Sequence, residues 1–209
     1  MLAKYTTEKF KIDDGQKDID GWLLRPFSKK DDSETIIFSP GRDQTSKDMM
    51  PYAENAVEHG YNGVIFNYRE LGEDQSELLS KRRDLELVVR FVKKLDYVAE
   101  NNIVLLGEDF GAVISVVTVN DIPNEISKMV LMHPEFNFTD QFAYDSLNEC
   151  NIPVLVLQGD MDHVVPLEST KKALELYPNA ELKVFKGAGH EFLGEYRNQA
   201  IKTIDEFLK

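Results

Sequence analysis

Apolar and polar positions alternate over residues 5–12 and 19–25. A period of two marks half-buried strands, and the Asp13-Asp14-Gly15 turn between them predicts a β-hairpin. After a charged stretch at 29–34, read as a surface loop, the pattern changes. Short apolar runs occur at 35–39, 63–67, 103–106, 128–132, 154–158 and 181–185. Runs of this length, bounded by turn residues, suit strands covered on both faces. Between them the period lengthens. Leu78, Leu85, Val88, Val89, Val92 and Leu95 recur near every 3.6 residues within 76–100, and Phe192, Tyr196, Ala200, Ile204 and Phe207 do so within 191–208, which predicts two amphipathic helices. A hairpin followed by repeated strand–helix units predicts an α/β fold: a mostly parallel, eight-stranded sheet with helices on both faces.

Composition narrows the partners. A chain of 209 residues fits a single domain over 1–209. A net charge of −13 repels phosphate backbones and anionic lipid, so neither nucleic acid nor a membrane is expected. With Cys150 as the only cysteine, an internal disulfide and a thiolate metal cluster are excluded. The start of the chain lacks an apolar run of signal-peptide length, and no stretch approaches the roughly 20 apolar residues of a membrane span. A cytoplasmic protein with a small-molecule substrate is expected, without a metal or cofactor; a homodimer is compatible with the sequence.

The candidate chemistry sits at strand ends. "LLGEDFGAV" (105–113) runs from an apolar strand through a glycine turn into a helix. Gly107 and Gly111 flank Asp109 with the G-x-S-x-G spacing, in which a sharp turn holds its central residue in a strained backbone and excludes neighbouring side chains. The helix N-terminus that follows directs free N–H groups at the site.

Three further stretches extend the pattern: "FNYRELGEDQS" (66–76), "LQGDMDHVVP" (157–166) and "GAGHEF" (187–192). With the elbow, they resemble the α/β-hydrolase family along nearly the whole chain. The resemblance implies an acid at Asp162, a base at His190 and an oxyanion hole made by the N–H groups of Arg42 and Phe110, with Gly41 in "SPGRD" (39–43) where the family carries His-Gly. Asp109 replaces the usual serine. An aspartate followed by an aromatic residue and glycine is locally similar to haloalkane dehalogenases and epoxide hydrolases. Those families carry a helical cap; the stretch from His133 to Pro153 is too short for one, so a minimal cap or none is expected.

A carboxylate in this slot changes the chemistry. It is ionised at neutral pH and needs no activating base, but its attack on an ester carbonyl gives an anhydride and mostly reverses. Attack on an sp³ carbon bearing a halide or strained oxygen gives a stable alkyl ester, which water activated by His190 could hydrolyse. Candidate substrate-facing residues are Gly41, Glu108, His133 and Tyr144; Asn137 and Tyr144 are candidate donors to a leaving group, and Trp22 lies in the hairpin. Simpler roles stand beside these. Glu108 and His133 read more readily as structural residues than as functional ones, and Asp160 competes with Asp162. Three other functions remain compatible: a silenced or engineered serine esterase, an ester hydrolase in which water is the nucleophile, and a non-catalytic binding or regulatory protein.

Overall fold

The computed structural model describes residues 4–15, 17–27, 34–70, 76–99, 101–136, 145–147, 150–177 and 179–209. Eight strands form one sheet: β1 (Tyr5–Ile12), β2 (Ile19–Pro26), β3 (Thr35–Ser39), β4 (Asn62–Phe66), β5 (Ile103–Glu108), β6 (Lys128–Met132), β7 (Val154–Gly159) and β8 (Ala180–Phe185). Their spatial order is β1-β2-β4-β3-β5-β6-β7-β8. The β1–β2 and β2–β4 pairs are antiparallel and all others are parallel. The chain reverses its direction of travel across the sheet at β3, which is flanked by β4 on one side and β5 on the other. Ligand sites of open α/β sheets form outside the carboxyl ends at such a switch.

Among the described residues, the helices of eight residues or more are α1 (Ser46–Glu58), α2 (Glu77–Val92), α3 (Phe110–Asp121), α4 (Leu167–Leu174) and α5 (Glu195–Leu208). Two apolar clusters cover the two faces. One packs Leu78, Leu85, Val88 and Val92 of α2 and Val113, Val116 and Val117 of α3 against Ile37, Leu105 and Leu131 of the sheet. The other packs Met49, Tyr52 and Ala56 of α1 and Ala200, Ile204 and Leu208 of α5 against Phe38, Leu106 and Val130. α3 is buried from Phe110 to Val119, which explains why it carries no polar face there. α1 starts at an N-cap with reciprocal bonds: Thr45 Oγ1 accepts from Lys47 N–H, and Asp48 Oδ2 accepts from Thr45 N–H at 2.8 Å.

Two helix boundaries differ from those expected. α2 ends at Val92 rather than 100, because the chain continues in three-residue turns (Lys94 N–H to Phe91 O, Leu95 N–H to Val92 O, Val98 N–H to Leu95 O). Those turns also return apolar side chains to the core, so Leu95 and Val98 keep the helical spacing without the helix. α5 begins at Glu195 rather than 191; Phe192 is buried from the preceding loop, and Gly194 enters the helix at φ 56°.

Candidate active site

The elbow is made by close approach. β5 ends at Glu108 and α3 begins at Phe110, leaving Asp109 as the only residue between them, at φ 53° and ψ −120°. A side chain at Gly107 would meet Ala112 Cα at 2.5 Å, and one at Gly111 would meet Pro40 O at 2.3 Å. Both glycines are therefore required by packing, as the spacing predicted. The strained turn is fixed by Asp109 N–H donating to Met132 O at 3.0 Å and by Asp109 O accepting from the N–H groups of Ala112 and Glu135.

The carboxylate lies at the N-terminus of α3 against the loop that follows β3. Arg42 N–H donates to Asp109 Oδ2 at 3.3 Å, and Phe110 N–H donates to the same carboxylate. Gly41 N–H instead donates to Gln44 Oε1 at 2.7 Å, while its Cα abuts Asp109: a Cβ there would stand 3.1 Å from Asp109 Cβ. The Arg42 guanidinium is held by Glu77, by Glu135 at 3.1 Å and by the Phe110 ring at 4.0 Å, which anchors the backbone that presents its N–H.

Asp162 and His190 meet Asp109 from the loops after β7 and β8. His190 Nδ1 lies 2.9 Å from Asp162 Oδ2, and His190 Nε2 lies 3.5 Å from Asp109 Oδ1. Asp162 is buried and saturated: Oδ1 accepts from the N–H groups of Val164 and Val165, and Oδ2 accepts from Gln158 Nε2 at 2.8 Å as well as facing His190. Gln158 is fixed in turn by Thr170 Oγ1 and Val165 O. The sequence reading missed Gln158; its signal was a polar residue at the end of an otherwise apolar buried run. The rival acid, Asp160, is exposed and accepts from Gly187 N–H at 2.6 Å, fastening the histidine loop rather than the ring.

The charges reinforce one another. Burial opposes the charge on Asp109, but His190 and the N–H groups of Phe110 and Arg42 outweigh it and hold the carboxyl below the ordinary aspartate value. Burial likewise opposes a charged His190, yet Asp109 and Asp162 outweigh it and push the ring from 6.5 up to about 9. The His190 ring thus stands between Asp162 and Asp109, in a setting that favours its charged form.

Of the other candidates, Glu108 is buried with one edge on a polar cleft of about 380 Å³, which is also lined by Gln44, Lys47, Tyr52, Phe192 and Arg197. His133 is fully buried, which corrects its expected contact with substrate; its ring pairs with Glu108 and packs on His190 and Phe192. Tyr144 and Asn137 lie outside the described residues. Trp22 sits on β2, three strands from β5, beneath the Lys9 ammonium. Among the described residues, no group of His, Cys, Asp and Glu is arranged to hold a metal ion, and no helix is long and apolar enough to cross a membrane.

This sheet order, with the elbow after β5 and the acid and histidine loops after β7 and β8, is that of the α/β-hydrolase superfamily. The model of the dienelactone hydrolase family matches residues 52–206. An uncharacterised protein of Rickettsia prowazekii is 28% identical over 164 residues, which cover 73% of this chain and 66% of that protein. A non-heme chloroperoxidase of Kitasatospora aureofaciens is 48% identical over 56 residues, 26% of this chain and 20% of that one. The chain thus spans just under two thirds of the first relative and a fifth of the second. The solved structure of Est1E from Butyrivibrio proteoclasticus superposes with a TM-score of 0.81 at 17% identity, covering 96% of this chain and 98% of that one. The chain belongs to the dienelactone hydrolase family, and so to the α/β-hydrolase superfamily.

Proposed function

We propose that the protein hydrolyses small substrates at an sp³ carbon, with Asp109 as nucleophile, His190 as base and Asp162 as its orienter. The observation that carries this is the unequal setting of the two Asp109 oxygens. Oδ2 rests on the Arg42 amide, while Oδ1 faces His190 Nε2. Oδ1 attacks the carbon, the bond to the leaving group breaks, and the leaving group departs with the electron pair. An alkyl ester of Asp109 remains.

Forming that ester also prepares the second step. It removes the Asp109 charge, one of the two influences that raise His190, so the ring falls back toward its ordinary value, gives its Nε2 proton to the departing group or to solvent, and can then accept one from water. Water then attacks Asp109 Cγ, its proton passes to His190 Nε2, and the Arg42 and Phe110 N–H groups hold the oxyanion. Collapse expels the alcohol, which takes a proton from His190; Asp109 is left as the acid, and its proton passes to Nε2 of the neutral ring, restoring the carboxylate beside a protonated His190. The test is intact mass of a His190→Gln variant mixed with small epoxides and alkyl halides. A stable adduct on Asp109 is expected; an unchanged mass across a varied panel overturns the assignment. In the unsubstituted protein, oxygen-18 from water should enter Asp109 during turnover, and its failure to do so would favour water as the nucleophile.

Family membership favours a second reading, an ester- or lactone-cleaving scaffold silenced by Asp109. The carboxylate already occupies both amides that an ester oxyanion would need. Asp109→Ser would free them. Gain of activity on short acyl esters, together with no adduct in the His190→Gln variant, selects this reading.

A further inference from the structure

Glu108 and His133 are buried polar residues that the steps above leave unused. His133 Nε2 lies 2.9 Å from Glu108 Oε1, and His133 Nδ1 is buried without a partner. An N–H at Nδ1 would be an orphaned buried donor, so the ring carries its hydrogen at Nε2, where Glu108 accepts it. The backbone is bent to put the ring here. His133 has φ 35°, a conformation that costs a non-glycine residue on the order of 1–3 kcal/mol, and its N–H is pinned to Leu157 O at 2.7 Å.

That ring lies with its centroid 4.7 Å from the His190 ring at an interplanar angle of 49°, and 5.0 Å from the Phe192 ring, edge on. The contact supplies what the carboxylates cannot. Asp162 and Asp109 hold His190 at its two nitrogens, along one line, and leave the ring free to roll about that line. The loop that carries it, with Gly187, Gly189 and Gly194, offers little stiffness of its own. A contact on the ring's face removes the roll. Glu108 is bonded through the peptide to Asp109, so the contacts close a circuit: Glu108 to His133, His133 to His190, His190 to Asp109. A shift of the nucleophile's backbone and a tilt of the base's ring are thereby tied together.

We propose that Glu108 and His133 are a positioning pair that sets the tilt of His190 over Asp109 and so governs the hydrolytic step rather than substrate affinity; the catalytic half of this rests on the covalent reading of Asp109. The groups that face His190 are Asp109 on the elbow, Asp162 on the acid loop and the Glu108-bound His133 at the end of β6, with the exposed Glu191 next to it in its own loop.

The experiment reads His190 in the resting protein by NMR titration, and hydrolysis of the Asp109 ester by single turnover, in Glu108→Ala, Glu108→Gln and His133→Asn. Asparagine tolerates the left-handed backbone. In Glu108→Ala and His133→Asn, the His190 titration is expected to move from about 9 toward 6.5. Ester hydrolysis should slow by about 10²-fold, the cost of a misplaced reacting group, with the rate of ester formation unchanged. Glu108→Gln keeps an acceptor for His133 and should hold the titration near the parent value. The proposal is overturned if Glu108→Ala and His133→Asn titrate like the parent, even where their Tm falls, or if Glu108→Gln shifts as far as Glu108→Ala. The titration needs no turnover, so it decides the pair's role even if no alkyl substrate is found and the covalent reading fails.

Discussion

Asp84 and Asp109 both face cations, the first fully buried and the second partly, and they are finished differently. Asp84 on α2 is fully buried and meets Arg69 through every available edge: Oδ1 accepts from Nε at 2.8 Å and from Nη2 at 2.5 Å, and Oδ2 accepts from the Arg69 N–H at 3.0 Å. Arg69 spends Nη1 on Asp14 and Lys17 O, tying the β1–β2 turn to α2. Nothing is left over, and the cluster is a fastening. Asp109 is also mostly buried and also faces a cation, but only Oδ2 is close to the Arg42 amide. Oδ1 looks at His190 across 3.5 Å, and 16% of the side chain is exposed. An ion pair satisfied on all sides stabilises; one left short on a single oxygen keeps a lone pair for chemistry. The difference lies in the partners, since both residues are aspartates.

Substitutions can break that contrast. The largest effect is expected from Asp109→Asn, which keeps a side chain suited to the left-handed backbone but removes the proposed nucleophile. Turnover should fall by about 10⁴-fold, the upper end for a participating side chain. The His190 titration, followed by NMR, should drop from about 9 toward 6.5. A titration that stays at 9 would mean that Asp109 does not hold the ring's charge. Next comes Arg69→Ala, which strands Asp84 without its partner. Urea unfolding should show a loss of about 3–5 kcal/mol, with the His190 titration unmoved. A loss below about 1 kcal/mol would put the cluster among ordinary surface pairs.

Smaller effects sharpen the comparison. Gln158→Leu removes a donor from Asp162 and an acceptor from Thr170, and should cost about 1–3 kcal/mol in the same unfolding assay. A further effect is on pH dependence. His190 titrates at about 9 in the folded chain and at its ordinary 6.5 when unfolded, so its contribution is complete below about 6.5 and disappears as pH rises through 9. Tm should therefore decline across that window, by about 2–4 °C for each kcal/mol lost, and Asp109→Asn should flatten the slope.

Much of this arrangement was legible before any coordinates. All eight strands followed from local texture, because burial on both faces demands continuous apolar runs, and the observed strands match the predicted ones to within two residues at each end. Gly107, Gly111 and Asp109 stood out because tight turns accept few residue types; Asp162 and His190 stood out through the resemblance of their loops to those of the α/β-hydrolase family. The early end of α2 and late start of α5 were not legible: Leu95, Val98 and Phe192 are apolar because they reach the core, and a period count cannot distinguish a helix from turns that serve the same face.

What the sequence determined, then, is the set of elements and the chemistry available at their ends, since both depend on neighbours a few residues apart. What only the tertiary structure decided is which groups are saturated. Asp160 and Asp162 are two residues apart, yet one fastens a loop and the other holds the His190 ring. Glu108 and His133 are distant in sequence and become partners only when β5 and β6 align. Hydrogen-bond capacity is used up by whatever lies within about 3 Å in space, and that neighbourhood exists only once the sheet has formed.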